Sequence, residues 1–168
     1  MIRAIVVMGP SGCGKSTLGR ALAVSLHWRF VEGDTLHPAS NIARMSAGVP
    51  LTDEDRLPFL ENVGAAIRAA GDAGVVVACS ALKRVYRDRI RARAGEVAFV
   101  LPNVDRAHLV ARLERRREHF MPPTLIDSQL QALEPPQEDE RALVLDGNAS
   151  TEMQVRMVLA AVASNLLQ

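Results

Sequence analysis

Apolar residues fall along the chain in two rhythms. Four short runs are continuously apolar: Ile5–Met8, Val75–Cys79, Val97–Leu101 and Ala142–Leu145. Runs of this length, bounded by Gly, Pro or acidic residues, read as strands buried on both faces. A fifth segment, Trp28–Val31, alternates weakly and reads as a shorter strand. Between the strands the apolar spacing changes to three and four, the helical period. Helices are expected over 15–27, from Pro38 through Asn41 and Met45 to Gly48, and over 54–71, 83–93, 105–117, 124–133 and 150–167. Thr52 with Asp53, Glu54 and Asp55 supplies an N-cap and an acidic first turn for the third helix. Glu134-Pro135-Pro136 ends the sixth, because proline cannot continue a helix. The last should turn Val155, Val158, Leu159, Val162 and Leu166 to one side. Strands alternating with helices mean an α/β fold, a five-stranded parallel sheet with helices on both faces.

The junction between first strand and first helix carries a specific chemistry. Gly9-Pro10-Ser11-Gly12-Cys13-Gly14-Lys15-Ser16 has the spacing G-x-x-x-x-G-K-S, and Thr17 follows it. Gly9, Gly12 and Gly14 lack Cβ atoms, so backbone N–H groups can close around phosphate oxygens. The helix that starts near Lys15 aims its positive dipole end into the same space. Lys15 can reach the β- and γ-phosphates, and the Ser16 hydroxyl can ligate Mg²⁺. The stretch from Gly9 to Thr17 is therefore expected to bind a nucleoside triphosphate.

Composition narrows the setting. At 168 residues the chain is expected to form a single domain, 1–168. A net charge of +1 gives no global field for nucleic acid or an anionic membrane. Cys13 and Cys79 are too few for a disulfide framework and are most simply small buried residues. The chain enters its first strand almost at once, leaving no room for a signal peptide, and no apolar run approaches the roughly 18 residues of a membrane span. A cytoplasmic location is expected. Of 20 basic residues only Lys15 and Lys83 are lysine, so Lys83 invites the same scrutiny as the lysine of the phosphate loop.

Ligands of parallel α/β sheets bind beyond the carboxyl ends of the strands. Three such ends should meet: Gly9–Ser16, Glu32–Asp34 and Cys79–Lys83. Asp34, further from its strand than Glu32, can hold Mg²⁺ through water or take a proton from an attacking hydroxyl; a solvated Gly-Asp turn is the plain alternative. The third strand ends in Cys79-Ser80, without the Asp that GTPases and motor ATPases carry there, which leaves the Mg²⁺-carboxylate role to Asp34. Arg112, Arg115, Arg116 and Arg117 precede EHFMPP at 118–123. They form either a lid whose arginine closes over the transferring phosphate or a solvated face paired with Glu114 and Glu118. His37 is a candidate for the substrate pocket or for a cap.

In its motifs the chain resembles the gluconate kinases of the small P-loop type. The resemblance covers residues 4 to about 146. It rests on GPSGCGKS, GDTLHP at 33–38, NIARMSAGVPLTDEDRLPFL at 41–60, CSALKRVYRDRIR at 79–91, RREHFM at 116–121 and SQLQALEPP at 128–136. Phe59 stands where that family often has Trp, and Glu118 where it commonly has Gly. The resemblance implies a P-loop three-layer fold like nucleoside-monophosphate and shikimate kinases, with a helical lid at about 112–136. It further implies transfer of the γ-phosphate of ATP to the 6-hydroxyl of D-gluconate, and a homodimer. On this reading Lys15, Asp34 and Arg116 are catalytic, and Gly9–Thr17 with Arg112 and Arg116 hold the nucleotide. Ser16 and Asp34 hold Mg²⁺, while Asp34, His37, Arg56, Lys83 and Arg87 meet the sugar acid. Shikimate kinase and a nucleotide-dependent switch are the rival readings, against which the HP, CSALK and YRD stretches and the lid segment argue.

Overall fold

The computed structural model describes residues 2–47, 49–115, 123–164 and 166–167. Five strands, β1 (Ala4–Val7), β2 (Arg29–Glu32), β3 (Val75–Ala78), β4 (Ala98–Asn103) and β5 (Ala142–Asp146), form one parallel sheet in the order β2-β3-β1-β4-β5. The helices are α1 (Lys15–Leu26), α2 (Ala39–Ser46), α3 (Asp53–Ala70), α4 (Arg84–Ala94), α5 (Arg106–Glu114), α6 (Pro123–Ala132) and α7 (Thr151–Ala163). None among the described residues is long and apolar enough to cross a membrane.

The continuous apolar runs have the expected cause. Along β1, Ala4 and Val6, with Met8 after it, face one layer and pack with Phe59, Leu60 and Val63 of α3 and Tyr86 and Ile90 of α4. Ile5 and Val7 face the other layer, with Leu18 and Leu22 of α1 and Val155 and Val158 of α7. Successive strand residues point to opposite faces, so a strand covered on both sides needs apolar residues at every position. A smaller cluster of Leu109, Leu113 and Ile126 with Cys13 seats α5 and α6 beside the phosphate loop.

The elements depart from the pattern at four places. β4 continues past its apolar run through Pro102 to Asn103. Its pairing with β1 ends at Val100, so Pro102, which has no N–H to donate, pairs with β5 alone. Residues Gly33–Leu36 and Glu138–Glu140, for which the pattern predicts no element, form 3₁₀ turns. α7 ends at Ala163, so Leu166 does not join the buried stripe: it is 74% exposed, and Leu167 is buried in its place. Thr52 caps α3 as expected, its hydroxyl accepting the Asp55 N–H at 3.1 Å while the Asp55 carboxylate accepts the Thr52 N–H at 2.9 Å.

Candidate active site

The loop between β1 and α1 is built from backbone. Gly9 has φ 127°, a conformation that disfavours any side chain, and its N–H donates to the Ser80 carbonyl at 3.0 Å. A Cβ at Gly9 would lie 2.8 Å from the Cys13 sulfur. That space is filled by the buried thiol, whose pKa burial pushes up although Lys15 and Arg112 pull the other way. Cys13 thus contributes backbone to the loop and its side chain to the core. No side chain caps α1 and no acidic residue stands in its first turn, so its first N–H groups and the uncancelled dipole are available to an anion. Lys15 Nζ folds back over the loop to the Pro10 carbonyl at 3.0 Å.

A close backbone contact sets the turn that carries Asp34 against the carboxyl end of β3, beside the strand that leads into the phosphate loop. A Cβ on Gly33 would stand 2.2 Å from the Ala78 carbonyl oxygen. Only glycine lets the turn after β2 press onto the end of β3. Glu32 pairs with Arg20 at 3.3 Å, whereas the Asp34 carboxylate has no salt bridge or hydrogen bond among the described residues. Its field is felt at Cys79: burial pushes that thiol up to about 12, and the Asp34 charge adds to the rise while Lys15 and Arg56 oppose it. The charges of Asp34, Lys15 and Arg56 thus all act at Cys79, just past the carboxyl end of β3. The Arg56 side chain likewise lacks a hydrogen bond or salt bridge among the described residues; its guanidinium lies 5.9 Å from the Tyr86 ring centroid.

His37 joins the same group. Its ring stacks on Phe59 with centroids 3.7 Å apart and planes 8° apart. Burial holds its pKa below the ordinary histidine value, with Arg56 adding to that and Asp34 opposing it. It does not cap α2, whose N-cap is Pro38 with no side-chain cap.

Two expected substrate residues are engaged elsewhere. Arg87 is fully buried. Its Nε and Nη2 donate to both oxygens of buried Glu140 at 2.6 and 2.9 Å, and Nη1 donates to the carbonyls of Ala81 and Leu82 at 3.2 and 3.0 Å. Four bonds inside the protein leave it unable to meet a ligand, so Arg87 is removed from the substrate set. It ties α4 to the 3₁₀ turn before β5. Lys83, read as free for substrate, donates to both Asp53 oxygens at 2.9 and 2.8 Å. Asp53 also accepts from the Tyr86 hydroxyl, and these bonds hold its carboxyl below the usual range. Lys83 therefore bridges the N-termini of α3 and α4.

On the other side of the loop lies an open cleft of about 310 Å³, lined by Gly12, Gly14, Thr17, Arg112, Gly147 and Gln154 among others. Arg112 donates to the carbonyls of Gly12 and Cys13 at 3.3 and 3.4 Å, to the Gly147 carbonyl at 2.7 Å and to Asn148 Oδ1 at 3.1 Å. It thereby fixes the phosphate loop to the turn after β5. That turn escaped the sequence reading, although Asp146-Gly147-Asn148 is a turn composition. Gln129 of α6 was also missed: its Oε1 accepts the Ser11 N–H at 2.7 Å and its Nε2 donates to Ser11 Oγ at 3.3 Å. Arg116 and Glu118, and with them the centre of the expected lid, lie outside the described residues.

The donor set suits Mg²⁺. Among the described residues no three His, Cys, Asp or Glu side chains converge as a metal cage, but Mg²⁺ keeps several waters and takes one or two protein oxygens together with phosphate. The Ser16 hydroxyl in the first turn of α1 and the unpaired Asp34 carboxylate are hard oxygen donors of that kind.

The shikimate kinase family model matches residues 11–167. The thermosensitive gluconokinase of Escherichia coli strain K12 is 42% identical over 167 residues, covering 95% of this chain and 89% of its own. The gluconokinase of Gluconobacter oxydans strain 621H is 46% identical over 147 residues, covering 86% and 83%. The crystal structure of a gluconokinase from Sinorhizobium meliloti 1021 superposes with a TM-score of 0.86 at 44% identity, over 97% of this chain and 93% of that one.

Proposed function

The chain belongs to the gluconokinases of the wider shikimate kinase family, and from that premise we propose how its residues divide the transfer of a phosphoryl group. It is a kinase that moves the γ-phosphate of ATP to the 6-hydroxyl of D-gluconate. This division is supported by Asp34 and Arg56, whose charged groups have no hydrogen bond or salt bridge among the described residues and whose charges, with that of Lys15, act at Cys79 just past β3.

The backbone of Gly9–Ser16 and the Lys15 ammonium hold the triphosphate, and Thr17 and Arg112 line the cleft for the rest of the nucleotide. Arg56 takes the gluconate carboxylate, and His37 meets its hydroxyls. Asp34 orients the 6-hydroxyl and takes its proton as that oxygen bonds to the γ-phosphorus and the bond to the β–γ bridging oxygen breaks, releasing ADP. Ser16 and Asp34 would hold Mg²⁺, which when bound neutralises charge on the phosphate oxygens. Catalysis is then mainly positioning and charge stabilisation. The chain acts as one domain, with Arg116 closing from a lid at about 112–136. By resemblance it works in the cytoplasm as a homodimer, which sedimentation would register as about twice 18.2 kDa.

ADP release measured over a panel of sugar acids and shikimate tests the assignment. D-Gluconate should be the best acceptor and its product should carry one phosphate at C6. Equal ATP consumption with and without acceptor, or a preference for shikimate, would overturn it.

A further inference from the structure

Asn41, in the first turn of α2, is only 4% exposed. Its Nδ2 donates to the Asp55 main-chain carbonyl at 2.8 Å and lies 3.4 Å from His37 Nδ1. These two contacts determine a hydrogen position. A carbonyl oxygen can only accept, so the Asn41 atom facing Asp55 must be the NH₂ group and not the amide oxygen. The second hydrogen of that NH₂ is then the one directed at His37 Nδ1. A ring nitrogen that accepts cannot itself carry a proton, so the proton of the neutral ring belongs on Nε2.

The surroundings keep this arrangement in place. The imidazole lies flat on Phe59, which resists tilting away from Asn41. The anchor is fixed as well, because Asp55 sits in the Thr52 capping box and its carboxylate pairs with Arg44 at 3.3 Å. Two charges act on the ring, Asp34 from the turn after β2 and Arg56 from α3. They oppose each other, and burial favours the neutral form.

We propose that Asn41 is a positioning residue for the acceptor pocket: it holds His37 in the Nε2–H tautomer, so that the ring edge opposite Asn41 offers a neutral N–H donor to a substrate oxygen. A donor of fixed direction and no charge suits a polyol hydroxyl, and it leaves recognition of the carboxylate to Arg56. The role toward a sugar acid rests on the gluconokinase reading; the tautomer does not.

Long-range ¹H–¹⁵N spectra of the intact protein, with His37 assigned by a His37→Gln variant, read the tautomer directly. The expected pattern is an unprotonated Nδ1 and a protonated Nε2 above the ring's pKa. In Asn41→Ala the two tautomers should mix, and the gluconate KM should rise about tenfold, the scale of one lost hydrogen bond, with the ATP KM unchanged. A merely structural role would lower thermal stability and leave the tautomer as it is. An Nδ1–H pattern in the wild-type protein overturns the proposal, and so does a folded Asn41→Ala with unaltered tautomer and KM. Should the acceptor panel favour another acid, the same rise in KM is expected for that acid. If Asn41→Ala fails to fold, Asn41→Ser takes its place, and a folded Asn41→Ser with the wild-type tautomer ratio and gluconate KM overturns the role of Asn41 whatever the wild-type spectrum shows.

Discussion

The two sides of the crevice are built by opposite means. The phosphate side is one contiguous stretch, Gly9–Ser16, whose working groups are mostly main-chain N–H groups placed by glycine geometry and a helix start. The acceptor side is assembled from the turn after β2, α2, α3 and the start of α4, and its working groups are side chains. On the phosphate side position in sequence determines position in space. On the acceptor side each charged group can choose among neighbours, and what it pairs with decides what it can do. Arg56 and Arg87 make the point: both were expected to meet the substrate, yet one lacks a partner among the described residues and the other is closed inside the protein by Glu140 and two carbonyls.

The largest expected effect lies where the two sides meet. Asp34→Asn keeps the size and loses the base, so kcat should fall by roughly 10²–10⁴, while ATP affinity without gluconate stays near normal. Near-normal turnover in the folded variant would remove Asp34 from the chemistry.

The buried pair should answer in stability and not in substrate affinity. Removing one partner of a buried ion pair costs about 3–5 kcal/mol, so Arg87→Met should lower Tm by roughly 10 °C. The KM for gluconate of whatever remains folded should change little. Burial alone would raise the Glu140 pKa, but the bonds from Arg87 and the Gln137 N–H and the charges of Arg87 and Arg84 outweigh it and hold the carboxyl below its usual value. A depressed carboxylate pKa contributes stability above the unfolded-state value, lost as pH falls through the folded one. Acid unfolding should therefore be shallower below about pH 4.5 in Glu140→Gln, from a lower stability at pH 7. An unchanged Tm in Arg87→Met with a raised gluconate KM would return Arg87 to the substrate site.

Arg56→Ala is the counterpart. Losing a charge-assisted bond to a carboxylate costs about 1.5–3 kcal/mol, which is a rise of roughly 10–100-fold in the gluconate KM, with little change in Tm. A large fall in Tm without a change in KM would make Arg56 a second Arg87.

These contrasts mark what could be read from the chain. The sheet and its helices were legible because burial on both faces imposes continuous apolar runs, and the loop because glycine spacing and the following lysine are local. The place of Asp34 was legible from its position at a strand end. Pairing was not legible. Nothing in CSALKRVYRDRIR separates Arg87, which meets Glu140 53 positions later, from an arginine facing a ligand. The Gln129–Ser11 contact spans 118 positions, and the Arg112 bonds to the phosphate loop and the turn after β5 join three separate segments. The end of α7 was misjudged because an apolar residue at helical spacing carries no sign that the helix has stopped.

Lys83 should give the smallest effect, and it tests the comparison most finely. As one of two lysines in the chain, it was expected to meet the sugar acid, a role that a compact ammonium with three donors suits in a confined pocket. The structure gives that ammonium to both Asp53 oxygens, with the Tyr86 ring 5.6 Å away. The Lys83 side chain is 31% exposed and that of Asp53 53%, so the pair is screened and contributes at most about 1 kcal/mol. With two of its three donors on Asp53, Lys83 can offer gluconate more than one bond only by leaving Asp53, and that exchange of one carboxylate for another returns little net attraction. Lys83→Met should therefore reduce kcat/KM for gluconate less than about fivefold, near 1 kcal/mol, and Lys83→Arg should be tolerated, since a guanidinium fork also binds a carboxylate through two donors. Asp53→Asn distinguishes the two roles. If Lys83 serves only the seam between α3 and α4, the single variants lower Tm alike and their combination adds nothing. A loss in Lys83→Met beyond tenfold, with a gain in gluconate affinity when Asp53→Asn frees the ammonium, would move Lys83 from the seam into the substrate site.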